Sequence, residues 1–267
     1  MLDIAATDGK MIGRKDGSVG HVIFNNPDRH NAVSLDMWLA MSEVIDAFHD
    51  DQDIRVLVVS GAGGKAFVSG ADISKFESER ATQEAVAAYA AASTSATDKL
   101  YNFPKPTLAR IKGYCIGGGV NVAMCCDLRI CNEGARFAIP AAKLGLGYGY
   151  TGLKRLSDIV GVSRTMEIFY TARQFPAREA YEMGLVNACV ADGELDDTVD
   201  DITTRIGENA PLTIAAIKRA AREIPKDPSQ RDLKQLDAMV QACFESEDYI
   251  EGRRAFMEKR KPVFKGR

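Results

Sequence analysis

The chain has 267 residues, enough for one large domain or for one domain with a small appendage. Its composition is 46% apolar and 27% charged with a net charge of −3, which is ordinary for a globular protein and argues against a nucleic-acid partner. The polar N-terminal segment predicts no signal peptide, and no apolar run reaches the roughly 20 residues of a membrane span. Three histidines without a metal-binding spacing predict no catalytic metal.

The six cysteines predict a reducing environment. None of them belongs to a C-x-x-C pair, and most lie in apolar stretches, so buried free thiols are expected. Reduced thiols are typical of the cytoplasm, where we expect this chain to act. The six are Cys115, Cys125, Cys126, Cys131, Cys189 and Cys243.

Strand and helix patterns alternate in the first part of the chain. The β-rich run 20–25 ends at a turn formed by residues 26–28. Ser34 then begins a helix that extends to about residue 50, because apolar residues recur at helical spacing after it. The continuous apolar run 54–61, closed by glycine, predicts a strand that is buried on both faces.

The middle of the chain contains two glycine-rich segments. Residues 61–74 predict a loop that leads towards a helix, and the Ala-rich segment 82–102 is predicted to be helical. A strand after Pro106 runs into three successive glycines at 117–119. Residues 128–140 predict a hairpin-like pair of strands, because a turn sequence, Asn-Glu-Gly, lies between two apolar runs.

From about Thr151 onwards the predicted pattern is helical. We therefore predict an α/β core over residues 1–190, which holds the strands, and a helical C-terminal region over residues 191–267. The predicted helices of the second half, before a basic tail, are 163–172, 176–186, 195–209, 212–223 and 230–246.

The two glycine-rich segments are candidate anion sites. Each lies at a strand-to-helix junction, where unpaired backbone N–H groups and the helix dipole favour negative charge. Neither matches a phosphate-binding motif, so simple tight turns are the alternative. If the two junctions converge, their N–H groups form an oxyanion hole, which stabilises a carbonyl oxygen as charge develops on it. Composition alone does not show convergence.

Six stretches in succession resemble the signatures of the enoyl-CoA hydratase/isomerase (crotonase) superfamily, from about residue 20 to 265. The resemblance implies a crotonase-like (ClpP/crotonase) spiral of ββα units with a helical C-terminal trimerisation region. It also implies a homo-trimer or hexamer and an acyl-CoA substrate, with coenzyme A as part of the substrate and no separate cofactor. The stretches are FNNPDRHNAVS, GAGGKAFVSGADIS, KGYCIGGGVNVAMCCDLRI, ARFAIPAAKLGLG, AREAYEMGLVNACV and EGRRAFMEKRKPVF.

The resemblance also implies site residues. Matched by motif, the N–H groups of Ala71 and Gly118 hold the thioester oxygen. For Asp72 the alternative is a helix N-cap, and for Lys259 it is a solvated charge in the tail. The residues that the family's pattern assigns to coenzyme A are Arg29, Ala66, Asp72, Ile73, Ser74, Phe256 and Lys259.

The chain departs from the hydratases of the superfamily at both of their catalytic glutamates. The position three residues after the middle glycine is Asn121, and the position after the proline of the FxxP segment is Ala141. Neither side chain relays a proton, so the two-carboxylate hydration mechanism is not expected.

Tyr148 matches a tyrosine that methylmalonyl-CoA decarboxylase-like members carry beside the substrate carboxylate. Decarboxylation needs an oxyanion hole and no base, so Asn121 and Tyr148 are candidates for hydrogen bonds to substrate. The alternatives are a structural hydrogen bond for Asn121 and simple packing for Tyr148. The first hypothesis is therefore an acyl-CoA enzyme, a lyase or an isomerase of this superfamily. For its reaction, decarboxylation of a malonyl-type thioester or another enolate-based reaction competes with slow or Tyr-assisted hydration or isomerisation. A non-catalytic acyl-CoA-binding protein is the other hypothesis.

Overall fold

The strands of this protein form two separate β-sheets. The computed structural model describes residues 7–72, 75 and 81–267. In the first sheet β1 and β2 are antiparallel, and every other neighbouring pair is parallel. The strands of this six-stranded sheet, in spatial order, are β1 (Met11–Asp16), β2 (Val19–Phe24), β3 (Val56–Gly61), β5 (Thr107–Ile111), β7 (Leu128–Asn132) and β10 (Ala188–Val190).

The second sheet is smaller and holds the strands that precede the candidate site. Its first three strands are parallel, and the fourth pairs antiparallel with the third. The chain alternates between the sheets, since each of β3, β5 and β7 is followed by a strand of the second sheet. This alternation is the predicted spiral of ββα units. The four strands, in spatial order, are β4 (Ala66–Val68), β6 (Tyr114–Ile116), β8 (Arg136–Ala138) and β9 (Phe175–Pro176).

Helices follow the strands and form most of the second half. None of the helices in the described part of the chain is long and apolar enough to cross a membrane. They are α1 (Leu35–Asp50), α2 (Gln83–Tyr101), α3 (Gly118–Cys125), α4 (Tyr150–Val160), α5 (Val162–Thr171), α6 (Ala177–Glu182), α7 (Leu195–Glu208), α8 (Pro211–Glu223), α9 (Leu233–Glu245) and α10 (Glu247–Glu258), with 3-10 turns at Pro27–Arg29, Pro140–Leu144 and Pro228–Gln230.

The predicted hairpin at 128–140 is wrong. Its two strands are β7 and β8, which belong to different sheets and do not pair with each other. Asn132, at the end of β7, forms other hydrogen bonds. Its Oδ1 accepts from the backbone N–H of Gly113 at 3.1 Å. The Asn132 amide nitrogen donates to Asp192 at 2.8 Å. The turn residues therefore carry the chain from one sheet to the other.

The C-terminal helices attach to the core behind α3. Asp127, two residues after that helix, accepts from Lys218 at 2.7 Å and from Arg222 at 2.8 Å, both on α8. Leu195 and Val199 of α7 pack against the first sheet. The strands end at Val190, and the division of the chain into regions 1–190 and 191–267 stays a prediction.

A close backbone contact ties α3 to β4 and generates a stability prediction. A Cβ built on Gly119 would lie 2.1 Å from the carbonyl oxygen of Val68, a backbone atom that cannot rotate away. We expect Gly119→Ala to lower the free energy of unfolding by about 3 kcal/mol or more, because overpacking against backbone forces the helix from the sheet. Urea unfolding measures the change.

Gly147→Ala is the matched control. A Cβ built on Gly147 meets no atom within 4 Å, so this variant should unfold at the wild-type urea concentration. If Gly119→Ala were as stable as Gly147→Ala, the packing of α3 on β4 would be looser than described.

Candidate active site

Three strand ends meet at one edge of the second sheet. Because β4, β6 and β8 are parallel neighbours, their carboxyl ends lie side by side. The residues just beyond these ends lead into Ala71, Gly118 and Ala141. Ligands of open α/β sheets commonly bind outside the carboxyl ends of strands. The sheet therefore brings together three positions that lie far apart in the sequence.

The two glycine-rich junctions touch each other. A Cβ built on Gly118 would lie 3.7 Å from the Cα of Gly70, and one built on Gly70 would lie 3.8 Å from the nitrogen of Gly118. The two loops are therefore in contact, and the meeting of their N–H groups at one oxygen stays a prediction. Beside the junctions, Pro140 approaches to 4.0 Å from a Cβ built on Gly117.

The three successive glycines differ in how strictly the backbone requires them. Gly117 has φ +55° and ψ −112°, a backbone conformation that side chains disfavour. Gly119 lies too close to Val68 for any side chain. Gly118 is different, because a Cβ there would make ordinary contacts of 3.7 and 3.9 Å. Gly118 therefore matters more for its backbone N–H than for its missing side chain.

The N–H groups of Ala71 and Gly118 have no hydrogen-bond acceptor among the described residues. Their neighbours are paired. Asp72 N–H donates to Val33 O at 3.1 Å, and Gly117 N–H donates to Ala138 O at 2.8 Å. Gly118 is the first residue of α3, so its N–H is one of the unpaired donors at the positive end of the helix dipole. Such donors suit an oxygen that carries negative charge.

Asn31 anchors the loop that presents Ala71, and sequence reasoning missed it. Its side chain is fully buried, and its amide nitrogen donates to the carbonyl oxygens of Ala62 at 3.0 Å and Ala66 at 2.7 Å. Its Oδ1 accepts from Asn26 N–H at 2.9 Å. The turn at Pro27–Arg29 is thereby tied to the loop before β4. Asn31 has a φ of +56°, which Asn tolerates better than most residues.

The two positions that carry glutamates in hydratases of the superfamily lie at this edge without a carboxylate. Asn121 is one turn into α3, half-buried, and its Oδ1 has no hydrogen-bond partner. Ala141 is 5% exposed in the 3-10 turn after β8. In the described part of the chain no cluster of side chains fits a metal ion. Asn121 makes no structural hydrogen bond through Oδ1, so that alternative is not supported for this atom.

Tyr148 is half-buried and packs against the hydrophobic core. Its ring lies 4.7 Å from that of Phe169, edge to face, and a Cβ built on Gly152 would meet it at 2.5 Å. Burial raises the pKa of Tyr148 to about 12, with a further contribution from nearby Cys125. Tyr148 therefore stays protonated at neutral pH, and its hydroxyl makes no hydrogen bond with the described residues. The ring of Tyr148 therefore packs as the alternative predicted. Its hydroxyl is still able to donate a hydrogen bond.

The far end of α3 is surrounded by guanidinium groups. Arg222 donates to the carbonyl oxygen of Cys125 at 3.5 Å, and Arg129 donates to that of Cys126 at 2.7 Å. Arg155 approaches the sulfur of Cys125 at 3.3 Å and pairs with Asp98 at 2.6 Å. Cations at this end complement the negative end of the helix dipole. They fix α3 from behind while its first turn faces the other two strand ends.

The residues that the resemblance assigns to coenzyme A differ in their exposure to solvent. Arg29 is exposed in the turn after β2, and its carbonyl oxygen accepts from Ser69 at 3.4 Å. Ala66 is only 1% exposed and its carbonyl oxygen is taken by Asn31. Asp72 is half-buried beside Ala71. Ile73 and Ser74 lie outside the described residues.

Phe256 and Lys259 lie at the last helix of the C-terminal region. Phe256 is 82% exposed on α10 and lines a groove between the C-terminal helices. Lys259 ends that helix with φ +55°. Neither has a hydrogen bond or ion pair with Arg29, Ala71 or Gly118 in the described part of the chain. Their role in binding coenzyme A stays a prediction.

Comparison with known proteins gives one consistent result. The chain is 34% identical over 251 residues to a short-chain-enoyl-CoA hydratase of Clostridium acetobutylicum, covering 94% of this chain and 95% of the relative. It is 33% identical over 257 residues to a carnitinyl-CoA dehydratase of Escherichia coli K12, covering 95% and 97%.

The fold comparison agrees. An enoyl-CoA hydratase/isomerase family protein from Hyphomonas neptunium superposes with a TM-score of 0.91 at 32% identity, covering 98% of this chain and all of that one. The enoyl-CoA hydratase/isomerase family model matches residues 14–267. With a ββα spiral, converging glycine junctions and these relatives, the chain belongs to the enoyl-CoA hydratase/isomerase family and has the crotonase fold.

Proposed function

We propose that this protein is an acyl-CoA enzyme that stabilises a thioester enolate between the backbone N–H groups of Ala71 and Gly118. The contact between their two loops, with both N–H groups unpartnered among the described residues, is the observation that carries the proposal. Each donor of an oxyanion hole contributes roughly 3 kcal/mol to lowering a barrier. In this proposal coenzyme A enters as part of the substrate, and no separate cofactor is needed.

The proposed chemistry excludes two-carboxylate hydration. Some relatives are named hydratases or dehydratases, but their catalysis is not transferred to this chain. A hydratase must move protons to and from water, and Asn121 and Ala141 offer no titrating group at the two expected positions. What remains is stabilisation of charge on the thioester oxygen, which serves reactions that pass through an enolate.

Decarboxylation of a malonyl-type thioester is the specific reaction that the site favours. The bond between the α-carbon and the carboxylate breaks, carbon dioxide leaves, and the electron pair moves into the thioester enolate. Solvent then returns a proton to the α-carbon. The protonated hydroxyl of Tyr148, whose pKa burial raises to about 12, supplies a neutral donor for the departing carboxylate. A non-catalytic acyl-CoA-binding protein remains the second candidate, since both glutamate positions lack an acid.

The N–H of Gly118 is tested by two substitutions at one position. Gly118→Pro removes the donor, while proline is well tolerated at a first helical residue. Gly118→Ala keeps the donor and adds a Cβ with contacts of 3.7 and 3.9 Å. We expect Gly118→Pro to weaken butyryl-CoA binding at least about ten-fold, since a lost hydrogen bond to a partly charged oxygen is worth roughly 1.5–3 kcal/mol. Calorimetric titration measures both variants.

Gly118→Ala should bind butyryl-CoA within about three-fold of the wild type. Wild type and Gly118→Pro are both checked for folding by circular dichroism. If the two folded proteins bind butyryl-CoA equally, the proposed oxyanion role of Gly118 is contradicted. Failure of the wild type to bind any acyl-CoA would remove the proposed function altogether.

The reaction is tested with two substrates. We expect crotonyl-CoA hydration at least about 10³-fold slower than a two-glutamate hydratase achieves, because general acid–base groups supply typically 10²–10⁴ each. Malonyl-CoA and methylmalonyl-CoA should lose carbon dioxide, and Tyr148→Phe should slow this step. The assays follow absorbance of the enoyl thioester and release of carbon dioxide.

Phe keeps the ring contact with Phe169, so Tyr148→Phe separates the hydroxyl from the packing. Efficient hydration by the wild type, unchanged in Tyr148→Phe, would contradict the proposed chemistry. Binding without turnover of any thioester would favour the non-catalytic candidate.

The groove between α8, α9 and α10 supports a proposed assembly of identical subunits. Its volume is about 960 Å³, and its lining is apolar. Ile217, Phe256 and Met257 are 64%, 82% and 80% exposed there, so three large apolar side chains face solvent in one groove. We propose that a second copy of the chain covers this groove in a homo-trimer or a hexamer. The free cysteines support a cytoplasmic location for the assembly.

Sedimentation equilibrium tests the assembly. We expect a trimer or hexamer at micromolar concentration, and Ile217→Asp should shift it towards the monomer, because a charge would be buried without a partner. Thr204→Asp, at an exposed position on α7, is the charge-matched control and should not change the mass. A wild-type monomer would contradict the proposed assembly.

A further inference from the structure

Three buried side-chain polar atoms of the described residues have no hydrogen-bond partner: Trp38 Nε1, Asn121 Oδ1 and Arg219 Nε. Buried polar atoms are nearly always paired, so each exception calls for a ligand, a water or a second conformation. Trp38 lies on α1 and Asn121 lies on α3, the helix that begins at Gly118, whereas Arg219 lies on α8. Trp38 is 3% exposed and is in neither the family's motif nor the set of residues predicted from sequence.

Trp38 and Asn121 both lie close to Gly118. A Cβ built on Gly118 would lie 3.9 Å from Cζ2 of Trp38, an atom two bonds from Nε1. Asn121 is three residues after Gly118 on the same helix, and side chains at this spacing lie about 5–6 Å apart at Cβ. The indole and the carboxamide therefore border the same short stretch of α3. Edge-to-face packing on Phe24, with ring centroids 6.4 Å apart, holds the indole in place.

The two unpaired atoms are chemically complementary. The indole N–H can only donate, and a carboxamide oxygen can only accept. We propose that Trp38 is a positioning residue whose Nε1–H donates to Asn121 Oδ1 once an acyl thioester occupies the site. Thioester contact with the first turn of α3 brings the pair from its unbonded arrangement into a hydrogen bond. This inference rests on the proposed function, since the thioester is its trigger.

The hydrogen bond decides which face of the Asn121 amide meets the substrate. An amide can turn over and exchange its oxygen and nitrogen, so its orientation follows from its partners. With Oδ1 held by a donor, the Nδ2 hydrogens point towards the acyl group. The site then offers donors from Asn121, Ala71 and Gly118, and no carboxylate at positions 121 or 141. It therefore selects acyl groups that carry an oxygen acceptor over plain hydrocarbon chains.

The single tryptophan permits a direct test of the hydrogen bond. Because the chain contains one Trp, the ¹H–¹⁵N spectrum of the protein has one indole cross-peak. Titration with butyryl-CoA should move that peak downfield and slow its exchange with solvent, as a new N–H···O bond requires. In Asn121→Leu, which has a side chain of similar size without the oxygen, the downfield move should be absent although butyryl-CoA still binds.

The acceptor preference is tested with two thioesters of equal chain length. Acetoacetyl-CoA differs from butyryl-CoA by one carbonyl oxygen on the acyl chain, so their affinity ratio isolates that acceptor. We expect the wild type to bind acetoacetyl-CoA about ten-fold more tightly, as one hydrogen bond predicts. Trp38→Phe should lower this ratio several-fold, because the amide is then free to turn over. Asn121→Leu should lower it to about one.

Three outcomes separate the inference from the proposed function. If neither thioester binds the wild type, both the proposed function and the inference that rests on it are contradicted. If both bind but the indole peak stays in place, or moves equally in Asn121→Leu, the inference is overturned and the proposed function stands. An affinity ratio near one in the wild type likewise overturns the selection of acyl groups with an acceptor.

Discussion

The contact between α3 and β4 is the constraint on which the site depends. Gly119 lies so close to the carbonyl oxygen of Val68 that no side chain fits between the helix and the strand. Parallel pairing of β4 with β6 brings the two strand ends level, and the contact then places Gly118 against Gly70. Two loops about 50 residues apart in sequence thereby meet at one edge of the sheet. The geometry follows from backbone packing alone, which explains why it does not depend on any catalytic side chain.

Helix α3 acts as a fixed electrostatic element held at both ends. Its first turn carries an unpaired N–H at the candidate site, and guanidinium groups of Arg129, Arg155 and Arg222 surround its last residues. Arg222 also pairs with Asp127 and lies 3.7 Å from the ring of Tyr101, so the C-terminal helices and α2 share the same support. These contacts fix the position of the Gly118 N–H, and donors fixed in advance favour electrostatic stabilisation of a transition state.

Local patterns predicted much of this fold, and the errors have physical causes. The period of apolar residues predicted α1, and the apolar run after it predicted β3. The hairpin at 128–140 failed because a turn sequence does not reveal which sheet the following strand joins. The three-residue strand β4 was hidden inside a glycine-rich loop, since so short a run has no period to detect.

The candidate site was predictable only in part. Motif position indicated Ala71 and Gly118, but their convergence depends on strand pairing that composition does not contain. The anchoring by Asn31 and the indole behind Gly118 depend on contacts between residues distant in the chain. The sequence alone reveals that both glutamates are absent, whereas the packing of Tyr148 against Phe169 is seen only in the structure.

The central claim is that a thioester oxygen binds between two backbone N–H groups. Isotope-edited infrared spectroscopy of butyryl-CoA labelled with ¹³C at the thioester carbonyl tests it most directly, because hydrogen bonds weaken the C=O bond and lower its stretching frequency. We predict that the bound thioester absorbs at a lower frequency than the free thioester in water. We also predict that this shift is reduced in Gly118→Pro, which keeps only the Ala71 donor, and is unchanged in Gly118→Ala. A bound thioester with the frequency of the free one would contradict the account.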